Sequence, residues 1–329
     1  MANYQPPFSF TAQIVEQVSR ISEALGVWRA RSESTLTPML RRGNRIQTIQ
    51  ASLAIEHNTL TVEQVSAVID GKPVMGPPRE IQEVRNAFAA YEKMAQWQPT
   101  READLLEAHG LLMLGLVEDL GRYRSRGVGV YQGETLVHMA PPANQVERLM
   151  ENLLNWLSAT DLPPLVASCL FHYEFEFIHP FSDGNGRMGR LWQTLILAQW
   201  RPELAWLPVE SVVRDQQQAY YDALGQADDK AQATPFVEFM LGALELSLQQ
   251  AIDADDGVNE EVSDGVKTKL DEIDEQILAH IRQNPHITQE QLVDLTGKSL
   301  STIQRRIRKL RQLYIERIGS DKTGYWRVK

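Results

Sequence analysis

Fourteen residues constrain this chain more than any others. Positions 177–190 read Phe-Ile-His-Pro-Phe-Ser-Asp-Gly-Asn-Gly-Arg-Met-Gly-Arg, and an apolar run at 191–198 follows at once. The run reads as a buried helix, so the glycines fall where a loop enters it. Gly184, Asn185 and Gly186 can take a positive φ or admit a ligand close to the backbone. The opening amides of a helix and its positive dipole end make that junction a phosphate site. Arg187 and Arg190 lie three apart, on one face of the first turns. Two cations there oppose the dipole, and make sense if an anion sits between them. Asp183, just before the turn, can hold magnesium on that anion. His179, across the loop, is the natural proton acceptor near neutral pH. Each residue alone has a bland reading: a common turn, solvated arginines, a structural histidine. Together, in this order, they are far more specific than a bare glycine pattern.

The stretch resembles the signature of Fic-domain enzymes, which transfer AMP from ATP to hydroxyl side chains of proteins, and every fixed position of the full-length active motif is matched. The resemblance extends over residues 1–250 and implies a set of roles. His179 takes the proton from a target hydroxyl, which attacks the α-phosphate of ATP. Asp183 binds Mg2+ or Mn2+. Gly184, Asn185 and Gly186 cradle phosphates, with Met188 and Gly189 in the same phosphate-binding stretch. Arg187 and Arg190 hold the β and γ phosphates. Displacement at phosphorus needs positioning and charge neutralisation more than covalent help, so the residue types suit the chemistry. Phe181 reads as a core anchor by either route.

Three further stretches resemble family features. Residues 124–131, from Arg124 to Tyr131, are placed like the flap that aligns a target segment by strand addition, with Val128, Gly129, Val130 and Tyr131 as the docking residues; the bland reading is an ordinary hairpin. Tyr220 and Tyr221 match a tyrosine pair lining the adenine pocket, although such a pair on a helix is commonly core. Asp228 stands where relatives often carry asparagine. Residues 52–58, Ser-Leu-Ala-Ile-Glu-His-Asn, resemble an inhibitory helix, with His57 departing from the usual Glu-Gly or Glu-Asn ending. Ser52 and Glu56 belong to it. Glu56 is expected to pair bidentately with Arg190, which takes that arginine from the γ phosphate. The competing reading is an exposed salt bridge of little worth.

The fold class expected is mainly α: a Fic-type helical core with a short β-hairpin flap, plus a C-terminal winged helix domain. Helices are expected at 12–28, 41–56, 80–97, 101–117 with Thr100 as N-cap, 145–158, 163–177, 215–227 and 235–252. Thr61 opens a capping-box helix closed by Gly71. The division reads as 1–100 with the inhibitory helix at 41–58, a catalytic core at 101–252, an acidic linker at 253–265 and a winged helix at 266–329. Charge supports the split. The chain carries −10, yet residues 266–329 hold thirteen Lys and Arg against eight Asp and Glu. The third helix of that region carries Arg305, Arg306, Arg308, Lys309 and Arg311, so 299–312 is expected to meet DNA or a protein. The single cysteine, Cys169, fits a reducing compartment. With no apolar run long enough for a membrane and no leader-like start, a cytoplasmic protein without membrane contact is expected. Pairing with a second copy is also expected from the resemblance.

Alternatives to AMP transfer stay open at this stage. The same site could remove AMP, with Glu56 orienting a water, or transfer another phosphate-containing group. The chain could instead be a nucleotide-sensing DNA-binding regulator. Metal hydrolysis by His172, Glu174, Glu176 and His179 is a weak reading, since their spacing does not suit one helical face.

Overall fold

The computed structural model describes residues 4–35, 38–132, 135–262, 272–318 and 325–328. The protein is mainly helical, as expected, and forms two compact units, Met1–Gly257 and Val258–Lys329.

The first unit is built around a helical hairpin. Helix α7 (Pro164–Ile178) and helix α8 (Asn185–Trp200) pack along each other and are joined by the loop of the motif. Almost every side chain of α7 is buried, the pattern of a helix surrounded by others. From α8, Leu191, Trp192 and Leu195 enter the same core. Trp192 stacks on Trp97, and its indole N–H donates to Pro99 O at 2.9 Å.

Around the hairpin lie α1 (Ala12–Thr35), α2 (Pro38–Ile55), α3 (Val62–Ile69), α4 (Pro78–Lys93), α5 (Glu102–Leu112), α6 (Val146–Ala159), α9 (Val209–Asp215), α10 (Gln217–Asp229) and α11 (Thr234–Val262). Strands β1 (Gly129–Gln132) and β2 (Thr135–Met139) form an antiparallel hairpin, with a register shift between Val130 and Tyr131. It is the hairpin expected from the glycine-punctuated stretch. Helix α2 packs chiefly on α9, and also meets α3, α4 and α8, which brings its C-terminal end to the start of α8.

Several local expectations change. Thr61 makes both capping-box bonds, but Thr100 does not cap α5: Arg101 holds that position without a side-chain bond. The turn is held instead by Asp104, whose Oδ2 accepts from Gln98 N at 2.9 Å. Helix α5 stops at Leu112 because turns follow, with Gly115 at φ 73°. The helix expected at 215–227 is α10, Gln217–Asp229, and a short unexpected helix, α9, precedes it and ends at Asp215. The acidic stretch from Asp253 begins as helix within α11, since Ala254 and Glu260 are helix formers and no proline intervenes; residues 263–265 lie outside the described residues.

The second unit has α12 (Glu272–Gln283), α13 (Gln289–Thr296), α14 (Leu300–Leu313) and the antiparallel pair β3 (Ile315–Ile318) and β4 (Tyr325–Val328). Its core is Ile277, Ile281, Leu292, Ile303, Leu310 and Trp326. Thr288 caps α13 with a capping box, and Ser299 caps α14. Arg306, expected among the basic side chains facing a partner, is instead buried and paired with Asp274 at 3.2 Å. The face of α14 that closes the core takes Ile303, Arg306, Ile307 and Leu310, so helical spacing carries Arg306 inward. Arg305 stays exposed, whereas the side chains of Arg308, Lys309 and Arg311 lie outside the described residues.

The Trp192 environment gives a stability test. Trp192→Ala should cost about 3–5 kcal/mol through the lost burial and cavity, read from urea unfolding of the full chain. A loss well under about 1 kcal/mol would contradict the packing described.

Candidate active site

The motif loop begins where α7 ends. His179 caps α7 in the left-handed region, at φ 50° and ψ 61°, an uncommon conformation for a residue with a side chain. Its neighbours hold it there. Arg124, buried, donates from Nε to His179 O at 2.7 Å and from Nη2 to Ile178 O at 3.2 Å and Pro141 O at 2.6 Å. Arg124 N–H also donates to Pro180 O at 2.9 Å. One guanidinium therefore ties the end of α7 to the chain leaving β2. The His179 ring lies 3.3 Å from Glu176 O through Nδ1 and 4.0 Å from Glu176 Oε2. Burial works against charge on Glu176, but His172, His179 and Arg190 around it outweigh that and hold its carboxyl below the ordinary value.

Phe181 anchors the loop, as expected. It is fully buried and stacked on His109 with centroids 3.7 Å apart. His109 Nδ1 accepts from Gly121 N at 3.1 Å, so Nε2 carries the proton and donates to Asp183 O at 3.1 Å. Burial lowers the pKa of this histidine, keeping it neutral. Asn185 closes the loop from the other side: its Oδ1 accepts from Phe181 N and its Nδ2 donates to Phe181 O, both at 2.9 Å. Its side chain thus shapes the loop and does not reach outward; its amide remains.

Helix α8 then starts with Gly184 at φ 86°. Among the three residues expected to allow a positive φ, only Gly184 uses it; Asn185 and Gly186 are already helical. No side chain caps α8, so the amides of Asn185, Gly186 and Arg187 keep the usual need of a helix start for an acceptor. Gly186 is required for a different reason: a Cβ there would collide with the Glu56 carboxylate. Met188 and Gly189 do not face this opening. Met188 is fully buried and its amide donates to Gly184 O at 3.0 Å, while a Cβ on Gly189 would strike His172 and Glu176 of α7. Both serve helix packing, a correction to their place in the phosphate-binding stretch.

The two arginines each carry a carboxylate. Arg190, buried, donates from Nη2 to Glu56 Oε1 at 2.7 Å and to Ser52 O at 3.0 Å, and from Nε to Ser52 Oγ at 3.0 Å. Burial opposes its charge, yet Glu56, Tyr220 and Glu176 raise its pKa above the ordinary arginine value. The pairing with Glu56 is through one nitrogen and one oxygen rather than bidentate, because Ser52 takes Nε and shares Nη2. Arg187 meets Asp183 Oδ1 at 3.0 Å through Nη2 and Glu83 Oε1 at 3.5 Å through Nη1. Glu83 Oε2 accepts from Asn58 Nδ2 at 2.9 Å. The segment after α2 is thereby linked to the second motif arginine as well.

The adenine-pocket residues are divided. Tyr220 lies in the core against Phe236 and Phe239, with its hydroxyl 3.3 Å from His172 Nε2, so a base cannot reach its ring without repacking. Tyr221 is the partly exposed member, its hydroxyl accepting from Gln217 Nε2 at 3.3 Å. Asp228 accepts from Tyr173 OH at 2.9 Å. In the hairpin, Val128 precedes β1, and Gly129, Val130 and Tyr131 pair with Met139, His138 and Leu136. The alternative metal-hydrolysis set does not gather: Glu174 accepts from Tyr4 OH at 2.5 Å, and His172 is engaged by Gln193 and Tyr220.

Asp183 is a single carboxylate, 43% exposed, and no cluster of three or more His, Cys, Asp or Glu suited to a metal occurs among the described residues. That donor set fits magnesium brought by a nucleotide, which is held through one or two carboxylates plus substrate phosphates. Sequence reasoning missed His109, Glu83 and Arg79, and read Arg124 only as the start of the flap stretch. Only the i,i+4 spacing of Arg79 and Glu83 was a signal, and it says nothing of Arg187.

The fold is an α-helical core in which a loop enters a helix whose opening amides and arginines suit an anion. The comparisons narrow it. The Fic/DOC family model matches residues 99–197, and a winged helix-turn-helix DNA-binding model matches 270–313. The crystal structure of a Fic family protein from Desulfovibrio desulfuricans is 51% identical, covers 99% of this chain and 98% of its own, and gives a TM-score of 0.75. A Fic domain containing signaling protein from Bacteroides thetaiotaomicron is 25% identical over 72% of this chain and 98% of that one, with a TM-score of 0.61. This chain belongs to the Fic family. Curated relatives named "Protein adenylyltransferase Fic" include that of Nematostella vectensis, 31% identical over 61% of this chain and 47% of the relative, and that of Aedes aegypti, 28% identical over 72% and 49%. The chain spans about half the length of these relatives.

Behind Arg190 sits a further carboxyl. Glu210 is buried, and its Oε1 accepts from Tyr91 OH at 3.1 Å and Thr194 Oγ1 at 3.3 Å. Burial raises its pKa, against the pull of Arg190 and Arg45. A raised folded pKa means its contribution is complete below the ordinary carboxyl value and is lost as pH climbs through the folded one. Glu210→Gln should therefore flatten the decline, gaining on the wild type as pH rises above the ordinary carboxyl range. Urea midpoints across that rise check it; parallel profiles would refute it.

Proposed function

We propose that this chain is a protein adenylyltransferase that moves AMP from magnesium-ATP to a hydroxyl side chain of a target protein and of itself, and that Glu56 restrains it. The observation that carries the reading is the Glu56 carboxylate lying on Arg190, at the opening of α8, where a terminal phosphate of a nucleotide would bind. The relatives named adenylyltransferase support the reaction class.

The chemistry follows from the residues. The amides of Asn185, Gly186 and Arg187 and the two arginines neutralise the polyphosphate. Asp183 holds the magnesium that the nucleotide brings, which adds charge neutralisation at the phosphates. His179 takes the proton of the target hydroxyl; that oxygen bonds to the α-phosphorus, and pyrophosphate leaves with the electron pair of the broken P–O bond. Arg124 and Glu176 keep the imidazole in place. The target segment adds to the edge of the β1–β2 hairpin, and the modified residue is tyrosine, serine or threonine. Tyr221 flanks the base. Cys169, buried and unbridged, suits the cytoplasm, and no described helix is long and apolar enough to cross a membrane. Two copies act as a pair, tested by sedimentation. Residues 299–312 meet DNA, with Arg305 on the exposed side; a gel-shift titration tests that.

A second reading has one observation in its favour. Glu56 is 34% exposed and engages Arg190 through Oε1, which leaves Oε2 to polarise a water for removal of AMP. Pre-modified target incubated with wild type and with Glu56→Gly separates the two reactions.

Glu56→Gly should raise incorporation of labelled AMP, into the protein itself and lysate targets, by roughly tenfold to a hundredfold. That range corresponds to about 1.5–3 kcal/mol for a charge-assisted hydrogen bond. His179→Ala in that background should remove the signal. Equal incorporation by wild type and Glu56→Gly would overturn the restraint, and labelling that survives His179→Ala would overturn the mechanism.

A further inference from the structure

The carboxylate assigned to magnesium already holds two cations of unequal standing. Asp183 Oδ1 accepts from Arg187 Nη2 at 3.0 Å and from Gly184 N at 2.6 Å. Its other oxygen, Oδ2, accepts from Arg79 Nη2 at 3.2 Å. Arg187 is buried, and Glu83 braces it from behind. Arg79 reaches in from the first turn of α4, is 57% exposed, and among the described residues is otherwise held only by Leu116 O at 3.4 Å and Glu83 at 3.6 Å. Removing Arg187 from Oδ1 would leave a buried guanidinium with only the longer Glu83 pair at 3.5 Å among the described residues, which is costly. Removing Arg79 from Oδ2 releases a solvated side chain whose surface pair is worth little. Oδ2 is therefore the oxygen a metal can take, and Arg79 is the group it must displace. A divalent ion and a guanidinium cannot share one carboxylate oxygen without close repulsion.

We propose that Arg79 competes with the divalent cation for Oδ2 of Asp183, a positioning residue outside the motif that sets how much magnesium the site needs. It keeps Asp183 neutralised and oriented when no nucleotide is bound. It raises the magnesium threshold for nucleotide binding, independently of the Glu56–Arg190 pair, which acts at the other motif arginine. The proposal rests on the nucleotide-binding reading above.

The test measures binding rather than turnover. The affinity of a β,γ-imido ATP analogue is measured by calorimetry at stepped magnesium concentrations, in Glu56→Gly and in Glu56→Gly/Arg79→Ala. The second protein should need about threefold to fivefold less magnesium for half-maximal affinity, the factor that up to about 1 kcal/mol allows. At saturating magnesium the two affinities should agree. Arg79→Lys, keeping a cation in reach, should restore part of the threshold. An unchanged magnesium requirement would overturn the proposal. So would weaker binding of Arg79→Ala at every magnesium concentration, the signature of an arginine that grips phosphate directly. No binding by Glu56→Gly at any magnesium concentration would instead strike down the nucleotide reading itself, and this inference with it.

Discussion

A guanidinium withdrawn from water must have partners, and the position of Arg190 makes that requirement govern the site. Arg190 is 3% exposed, and an unpaired charge at such depth is among the costliest features a fold can carry. It lies on α8, one turn in from the amides that begin the helix, so its partners must come from elsewhere in the chain. The end of α2 supplies them: two oxygens of Ser52 and one of Glu56. The same demand recurs at Arg187, met by Glu83 and Asp183. A pocket that holds polyphosphate, as proposed above, is cationic by construction. Without its ligand, the protein answers that charge with its own carboxylates.

This view joins the packing of the first unit to its chemistry. Helix α2 must lie against α9 and reach α8 for Ser52 and Glu56 to arrive, and Gln217 Nε2 fixes the last turn of α2 by donating to Ile55 O at 2.9 Å. Gly186 must lack a side chain so that the carboxylate can approach. The loop before α8 must be rigid, which Phe181 on His109, Asn185 on Phe181 and Arg124 on two carbonyls together provide. The strain expected of His179 at φ 50° persists because these contacts over-determine it.

What was legible in the sequence was local. The periodicity and capping signals gave most helices, because burial of one face and satisfaction of end amides act within a few residues. The motif placed His179, Asp183, Arg187 and Arg190 around a helix start, and the structure gathers them there; their chemical roles belong to the proposal. What failed was distance and direction. Nothing near Arg124 says that it will close on carbonyls 54 and 55 residues away. Glu83 and Arg79 sit on α4, about a hundred residues before their partners. Met188, Gly189 and Tyr220 carried the right labels on the wrong faces, since a motif match does not tell which side of a helix meets the core. Arg306 went inward for the same reason: charge suggested a surface, while spacing placed it among Ile303, Ile307 and Leu310.

The two halves of the hold on Arg190 differ in kind, and that difference bears on how the restraint can be lifted. Ser52 supplies neutral oxygens from the body of α2, buried with the arginine. Glu56 lies just past the helix end and is partly open to water, so much of the solvation it needs on leaving is already present. On the proposed reading, when Glu56 withdraws, Arg190 keeps its Nε bond to Ser52 Oγ and one Nη2 bond to Ser52 O, and the incoming anion supplies the missing charge. The core is not asked to bury an orphaned cation at any step. A carboxylate at the depth of Ser52 would have welded the site shut, because extracting it would cost several kcal/mol. Under the restraint proposed for Glu56, the division of labour between it and Ser52 thus allows a closed resting state to open without unfolding the helix that closes it.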